Sequence, residues 1–317
     1  MIDGVLIIDK PEGYTSHDVV ARLRGILKTK RIGHTGTLDP FATGVLVMLV
    51  GKATRLAQFL DQDAKEYEAV VRFGFETETG DRTGKPKQIL DSRFQISNEE
   101  IEKALANFRG EIEQTPPMYS AKKIDGVKLY ELARKGIEIE RRAAKVTIYE
   151  LEIIQPPRTP GDTEESQTPP TNEKSEIRHL EFEIKVVCSA GTYIRTLAED
   201  IGRKLETGAH LAELRRTKAG KFDLAKALTI EELEASVVEN RLSEVLVSMN
   251  EAVLHLPPIV LSEQEIEDTK NGKRLRVEND EFAAGQTVRM IDDAGHLIAV
   301  GLHKAEEKSI QPKLVLI

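Results

Sequence analysis

One cysteine, Cys188, in 317 residues leaves no intrachain disulfide and no Cys-cluster metal site. Seven histidines occur, and none are paired at metal-ligand spacing. No apolar run approaches the ~20 residues of a membrane span. The opening MIDGVLIIDK lacks a basic n-region and a cleavage site, so the expected compartment is the cytoplasm. Gly51-Lys52 lacks the other residues of a phosphate loop: position 46 is Leu and position 53 is Ala. No G-x-G-x-x-G follows a strand and no G-x-S-x-G elbow is present. An enzyme with this sequence is expected to work through side chains, without metal or cofactor.

What is present is a soluble composition, 40% hydrophobic and 31% charged. The length predicts about two domains. Net charge is −8, but its distribution is uneven. Residues 22–55 hold seven Lys/Arg against one acid, whereas residues 231–281 hold thirteen Asp/Glu against five Lys/Arg. The local field decides where a polyanion docks, so the basic N-terminal block keeps a nucleic-acid partner open.

Inside that block lies GHTGTLDPFATGVLVMLVGKATR, residues 33–55. It sets one carboxylate, Asp39, in a loop of Gly, Thr and Pro, followed by a buried strand over Val45–Val50. Pro40 drives Asp39 toward an extended backbone. Taken alone, an acid in such a turn most often caps a backbone N–H.

Around it, GVLIID reads as a strand, and a helix starts near Thr15 or Ser16 with Asp18 in its first turn. YEAVVRFGF, KVTIYELEII and IRHLEFEIKVVCS read as strands. Ser97 with Glu100 and Thr229 with Glu232 form capping boxes. Residues 155–176 are Pro-, Thr- and Glu-rich and read as a disordered insertion. From about 250 a small β-rich unit is expected, with a hairpin turning at Asp293-Ala294-Gly295. The fold class is α+β: a mixed, largely antiparallel sheet with flanking helices over 1–248, then a small β unit over 249–317.

Six segments together resemble one family. GHTGTLDPFATGVL looks like the signature of the TruB pseudouridine synthases. KPEGYTS (10–16), KEYEAVVRFGFETETGDRTG (65–84), QTPPMYSAKKIDGVKLYELARKG (114–136), CSAGTYIRTLAEDIG (188–202) and LRRTKAGKF (214–222) resemble that family's other motifs, in its order. The resemblance implies the pseudouridine synthase fold with a PUA-like β-barrel after it. It implies isomerisation of the T-loop uridine, position 55, of tRNA by base flipping, without cofactor. A guide-RNA-dependent synthase shares the catalytic core but carries extended basic tails, which this sequence lacks; a monomer acting without an obligate protein partner is expected.

The resemblance also assigns roles. Asp39 is the catalytic carboxylate, and Arg195 its guanidinium partner. Tyr67 stacks on the flipped base, with its phenol placed to assist proton removal from C5. His34 enters the RNA, and Lys10 buttresses the Asp39 loop. Lys65 is open to phosphate contact or to the pocket wall, and Tyr119 to RNA contact or core packing. Lys122, Lys123, Lys128, Arg215, Arg216 and Lys218 are candidates for phosphate contacts. The small C-terminal unit is expected to contact the acceptor end of tRNA.

Overall fold

A computed structural model of the chain describes residues 2–89, 96–124, 126–158, 180–277 and 282–317. Strand β1 (Gly4–Lys10) and strand β3 (Thr43–Val50) pair antiparallel from Gly4↔Val50 to Lys10↔Gly44. The short β2 (Ile32–Thr35) pairs with β3 as well. Side chains alternate faces along a strand. Leu46, Met48 and Val50 enter one core, and Val45, Val47 and Leu49 enter a second core behind it. Apolar matter on both faces explains why Val45–Val50 is a continuous hydrophobic run rather than an alternating one.

Among the described residues, the large sheet has nine strands. After β1 and β3 come Ala209–Ala219, β4 (Lys65–Phe73), Glu181–Cys188, Ala144–Arg158 and Gly110–Gln114. Among the described residues its ladders are antiparallel except one, where Ala209–Ala219 runs parallel to β3. That ladder is two residue pairs long, Arg215↔Thr43 and Arg216↔Gly44. The loop bearing Asp39 enters β3 at this seam.

Helix α1 (Ser16–Leu27) covers the first core through Val19, Val20, Leu23 and Leu27. Thr15 caps it in a capping box with Asp18. The expected boxes at Ser97/Glu100 and Thr229/Glu232 are both formed. The strand at Ala144 runs to Arg158, past the expected start of the insertion at 155. Gln155 and Arg158 pair with Glu183 and Glu181 across a register shift, which accommodates Pro156 and Pro157, residues without an N–H to donate. The remaining insertion residues, 159–176, lie outside the described residues.

The C-terminal unit is a five-stranded sheet in the order Pro258–Val260, Thr287–Ile291, Leu297–Lys304, Ser309–Val315 and Leu275–Arg276. Its hairpin turns where expected, with Gly295 at φ +81°. Leu297, Val300, Leu314 and Leu316 pack into the second core against β1 and β3. The C-terminal unit therefore shares a core with the strands that carry the Asp39 loop. No described helix is long and apolar enough to cross a membrane.

Gly44 shows how tightly the seam is built. A Cβ there would lie 2.2 Å from the Arg216 carbonyl oxygen, and its φ is +99°. Both steric contact and backbone conformation oppose a side chain. Gly44→Ala should cost at least ~3 kcal/mol, read as a lowered denaturation midpoint at unchanged m-value.

Candidate active site

Asp39, Tyr67, Arg195, His34 and Lys65 line one cavity of about 690 Å³, at the seam between β3 and the Ala209–Ala219 strand. Five of the residues singled out in the sequence thus converge from separate segments.

Asp39 sits at the apex of a loop fastened at several points. The Ser16 hydroxyl accepts from the Leu38 N–H at 2.9 Å and donates to the Leu38 carbonyl at 3.1 Å. Lys10 is fully buried, and its Nζ donates to the carbonyls of Pro11 (2.8 Å), Tyr14 (2.7 Å) and Pro40 (3.3 Å). Burial lowers the Lys10 pKa to about 8, against attraction from Asp39. The Gly36 N–H donates to Asp61 Oδ1 at 3.1 Å. Lys65 in turn fixes the Asp61 turn, its Nζ donating to the carbonyls of Asp61, at 2.6 Å, and Asp63. Lys65 is 6% exposed and lines the cavity.

Arg195 meets Asp39 edge-on, Nε to Oδ2 at 2.9 Å and Nη2 to Oδ1 at 3.3 Å. A guanidinium fork suits this bidentate geometry. Nη1 also donates to the Thr79 carbonyl at 2.8 Å, and Nη2 to the Tyr119 carbonyl at 2.7 Å. A second buried carboxylate, Asp81, lies 3.5 Å from Nη1. Arg195 occupies the first turn of the Ile194–Lys204 helix, where the helix dipole disfavours a cation. The two carboxylates offset that cost. Desolvation pushes the Asp39 carboxyl above the ordinary carboxylate range and Arg195 opposes it. The Asp39 side chain is 33% exposed, so its free edge faces the cavity.

Tyr67 stands on β4, directly across from Arg216. Burial raises the pKa of its phenol, and the positive charge of Arg216 works the other way. His34 packs edge-to-face on His17, with ring centroids 5.8 Å apart. Its Nδ1 is buried and has no hydrogen-bond partner among the described residues. Burial, then His17 and Arg216, lowers its pKa to about 4. The His34 ring should therefore show no titration by NMR across the ~5–8 range where an ordinary histidine titrates.

Other expectations are placed elsewhere. Arg215 does not face the cavity. It pairs with Asp9 at 2.7 Å on the opposite side of its strand. Its neighbour Arg216, expected to meet phosphate, is 1% exposed and lines the cavity. Alternation along a strand puts one of two adjacent arginines inside and the other outside. Tyr119 contributes its carbonyl to Arg195, while its side chain lines the neighbouring cleft. Lys122 is exposed at the end of the 115–122 loop. Sequence reasoning passed over Asp81, which stands in the ETGDRTG loop, whose crowding of Asp, Thr and Gly is the signal that would have found it; Tyr193, beside Arg195 in the sequence, lines the cavity. Among the described residues, no cluster of His, Cys, Asp and Glu is arranged to hold a metal ion.

The model of the TruB family pseudouridylate synthase N-terminal domain matches residues 24–194, and that of the tRNA pseudouridylate synthase B C-terminal domain matches 195–254. This chain belongs to the TruB family. It is accordingly an isomerase that converts uridine to pseudouridine in tRNA. TruB relatives called tRNA pseudouridine synthase B include one from Bacillus cytotoxicus, 40% identical over 100% of this chain and 98% of that protein. One from Geobacillus thermodenitrificans is 44% identical over 87% of this chain and 86% of its own. Solved structures extend the likeness. A Cbf5–Nop10–Gar1 complex matches with a TM-score of 0.71 and 26% identity, over 99% of this chain and 85% of that one. An H/ACA ribonucleoprotein bound to a substrate RNA containing 2'-deoxyuridine matches with a TM-score of 0.71 and 25% identity, over 99% and 85%. The TruB fold expected from the six motifs is the fold observed.

Proposed function

We propose that this chain isomerises the T-loop uridine, position 55, of tRNA, with Asp39 as the reacting carboxylate and no cofactor. The observation that carries this is the bidentate Asp39–Arg195 pair, with a free carboxylate edge facing a cavity of nucleoside size. The reaction breaks N1–C1′, turns the base and joins C5 to C1′. The detached base must stay enclosed, and about 690 Å³ accommodates one nucleoside with its flanking groups. Asp39 attacks C1′ or C6, or removes a sugar proton; the same fixed carboxylate serves each route. Tyr67 stacks on the extruded base. His34, neutral and planar, fills the space the base vacates in the RNA. Exposed Lys122 and its neighbours Lys123 and Lys128 hold phosphates.

Residues 249–317 act in this reading as a PUA-like domain at the acceptor end. The enzyme works in the cytoplasm as a monomer without a protein partner. The test is incubation of the pure protein with an unmodified tRNA transcript, without added metal or guide RNA, and mapping of pseudouridine. One new pseudouridine at position 55 supports the proposal. Product at another uridine, or none, overturns it.

A further inference from the structure

Arg216 is among the largest fully buried side chains in the molecule, 1% exposed. Among the described residues it forms no ion pair with any carboxylate, unlike Arg195 and Arg215. Its guanidinium bridges the two ends of the Asp39 loop. Nη2 donates to the Gly36 carbonyl at 2.8 Å and Nε to the Val45 carbonyl at 2.7 Å. The Nη1 edge runs beside Gly36, where a Cβ would stand 3.2 Å from it, and the side chain lines the cavity next to Tyr67.

A loop fastening alone does not require a charge. A buried cation without an anion beside it is costly, because hydrogen bonds to two carbonyls offset its desolvation only in part. Such a charge is expected where an anion arrives later. The reaction supplies one. When N1–C1′ breaks, the bonding pair stays with the base and the detached uracil is an anion. When Asp39 attacks C6 instead, the electron pair moves into the ring and its carbonyl oxygens. Every route charges the ring negatively before C5 bonds to C1′. C5 then gives up its proton and N1 gains one, so atoms and charge balance without a further reactant.

We infer that Arg216 is a catalytic residue that stabilises the negative charge developed on the uracil ring, as well as closing the Asp39 loop. This rests on the isomerase reading of the cavity. It extends that reading, because it makes the cavity floor electrostatic rather than merely enclosing. A fixed positive charge on a buried side chain acts on the transition state with little reorganisation.

Two variants and two substrates test it. Arg216→Gln removes the charge and keeps a donor; Arg216→Lys keeps a charge but loses the fork. Single-turnover rates are measured on ordinary tRNA and on tRNA carrying 5-fluorouridine, as loss of the N1-linked nucleoside. Fluorine stabilises negative charge on the ring, so the substitution partly replaces the guanidinium. With ordinary tRNA, Arg216→Gln should be ~10²–10³-fold slower, as for loss of one preorganised donor. Filter-binding affinity for tRNA should stay within about threefold, since the interaction belongs to the transition state. On the fluorinated substrate the defect should shrink at least about tenfold, and Arg216→Lys should fall between wild type and Gln on both. An equal defect on both substrates, or a loss confined to tRNA affinity, overturns the inference and leaves Arg216 a loop fastening. Should the Gln chain not fold, the Lys chain carries the same comparison, a smaller defect on the fluorinated tRNA supporting the inference. Asp39→Asn is run beside them. Its turnover on both substrates at the wild-type rate would sink Asp39 as the reacting carboxylate in the proposed function, whatever Arg216 does.

Discussion

Asp39→Asn should bind tRNA as the parent does and lose at least ~10⁴-fold in turnover, the scale seen when a reacting group is removed outright. Asparagine keeps the shape and still accepts a hydrogen bond from Arg195. It supplies neither a nucleophilic oxygen nor a base. The surrounding fastenings, Ser16 on Leu38 and Lys10 on Pro40, do not involve the carboxylate, so the loop should hold. Binding should survive because the RNA-facing surface is unaltered. Asp39→Glu should be nearly as inactive, since one added methylene displaces the carboxylate by more than the ~0.5 Å tolerance of a preorganised site. Rapid-quench turnover beside filter binding separates the two effects.

Arg195→Met has the second largest expected effect, and it reaches stability as well as rate. Removing the guanidinium leaves Asp39 and the 4%-exposed Asp81 without their shared cation. Breaking one side of a buried pair typically costs ~3–5 kcal/mol. The sign with pH follows from the direction of the Asp39 shift. Its pKa is already raised by burial, with Arg195 as the largest opposing influence. The ionised form is the active one, so wild-type activity should fall with decreasing pH at a point above the ordinary carboxylate value of ~3.9. Without Arg195 the pKa rises further, and the acid limb of the kcat/KM profile should move to higher pH. A folded pKa above the unfolded one also means that the folded state binds more protons over that interval. Part of the lost stability should therefore return as the pH is lowered through it. A denaturation series against pH reads this directly.

Much of this architecture was legible in the residues. Capping boxes are local, so Thr15/Asp18, Ser97/Glu100 and Thr229/Glu232 declare their helix starts. The run Val45–Val50 is apolar without interruption and declares a strand buried on both faces. Lys10 and Lys65 show as basic residues, but their burial depends on carbonyls from the Pro11–Tyr14 segment, Pro40 and the Asp61–Asp63 turn, brought together only by folding. The Ala209–Ala219 strand was hidden by LRRTKAG, which reads as surface charge. Which of its two adjacent arginines points inward depends on strand register. That register shifts twice against β4, between Leu211 and Glu213 and between Arg216 and Lys218. A one-residue shift exchanges the faces. No composition argument separates Arg215, paired with Asp9, from Arg216 on the cavity floor.

The central claim is that one fixed carboxylate, in a single cavity, carries a uridine through detachment and rejoining. Tritium on uridine C5 reports that chemistry, because C5 loses its hydrogen only when it bonds to C1′. With tRNA so labelled, the wild-type protein should release the tritium of one uridine per tRNA and no free uracil. Asp39→Asn should release none while retaining the tRNA on a filter equally well. Tritium release by Asp39→Asn at the wild-type rate would contradict the account.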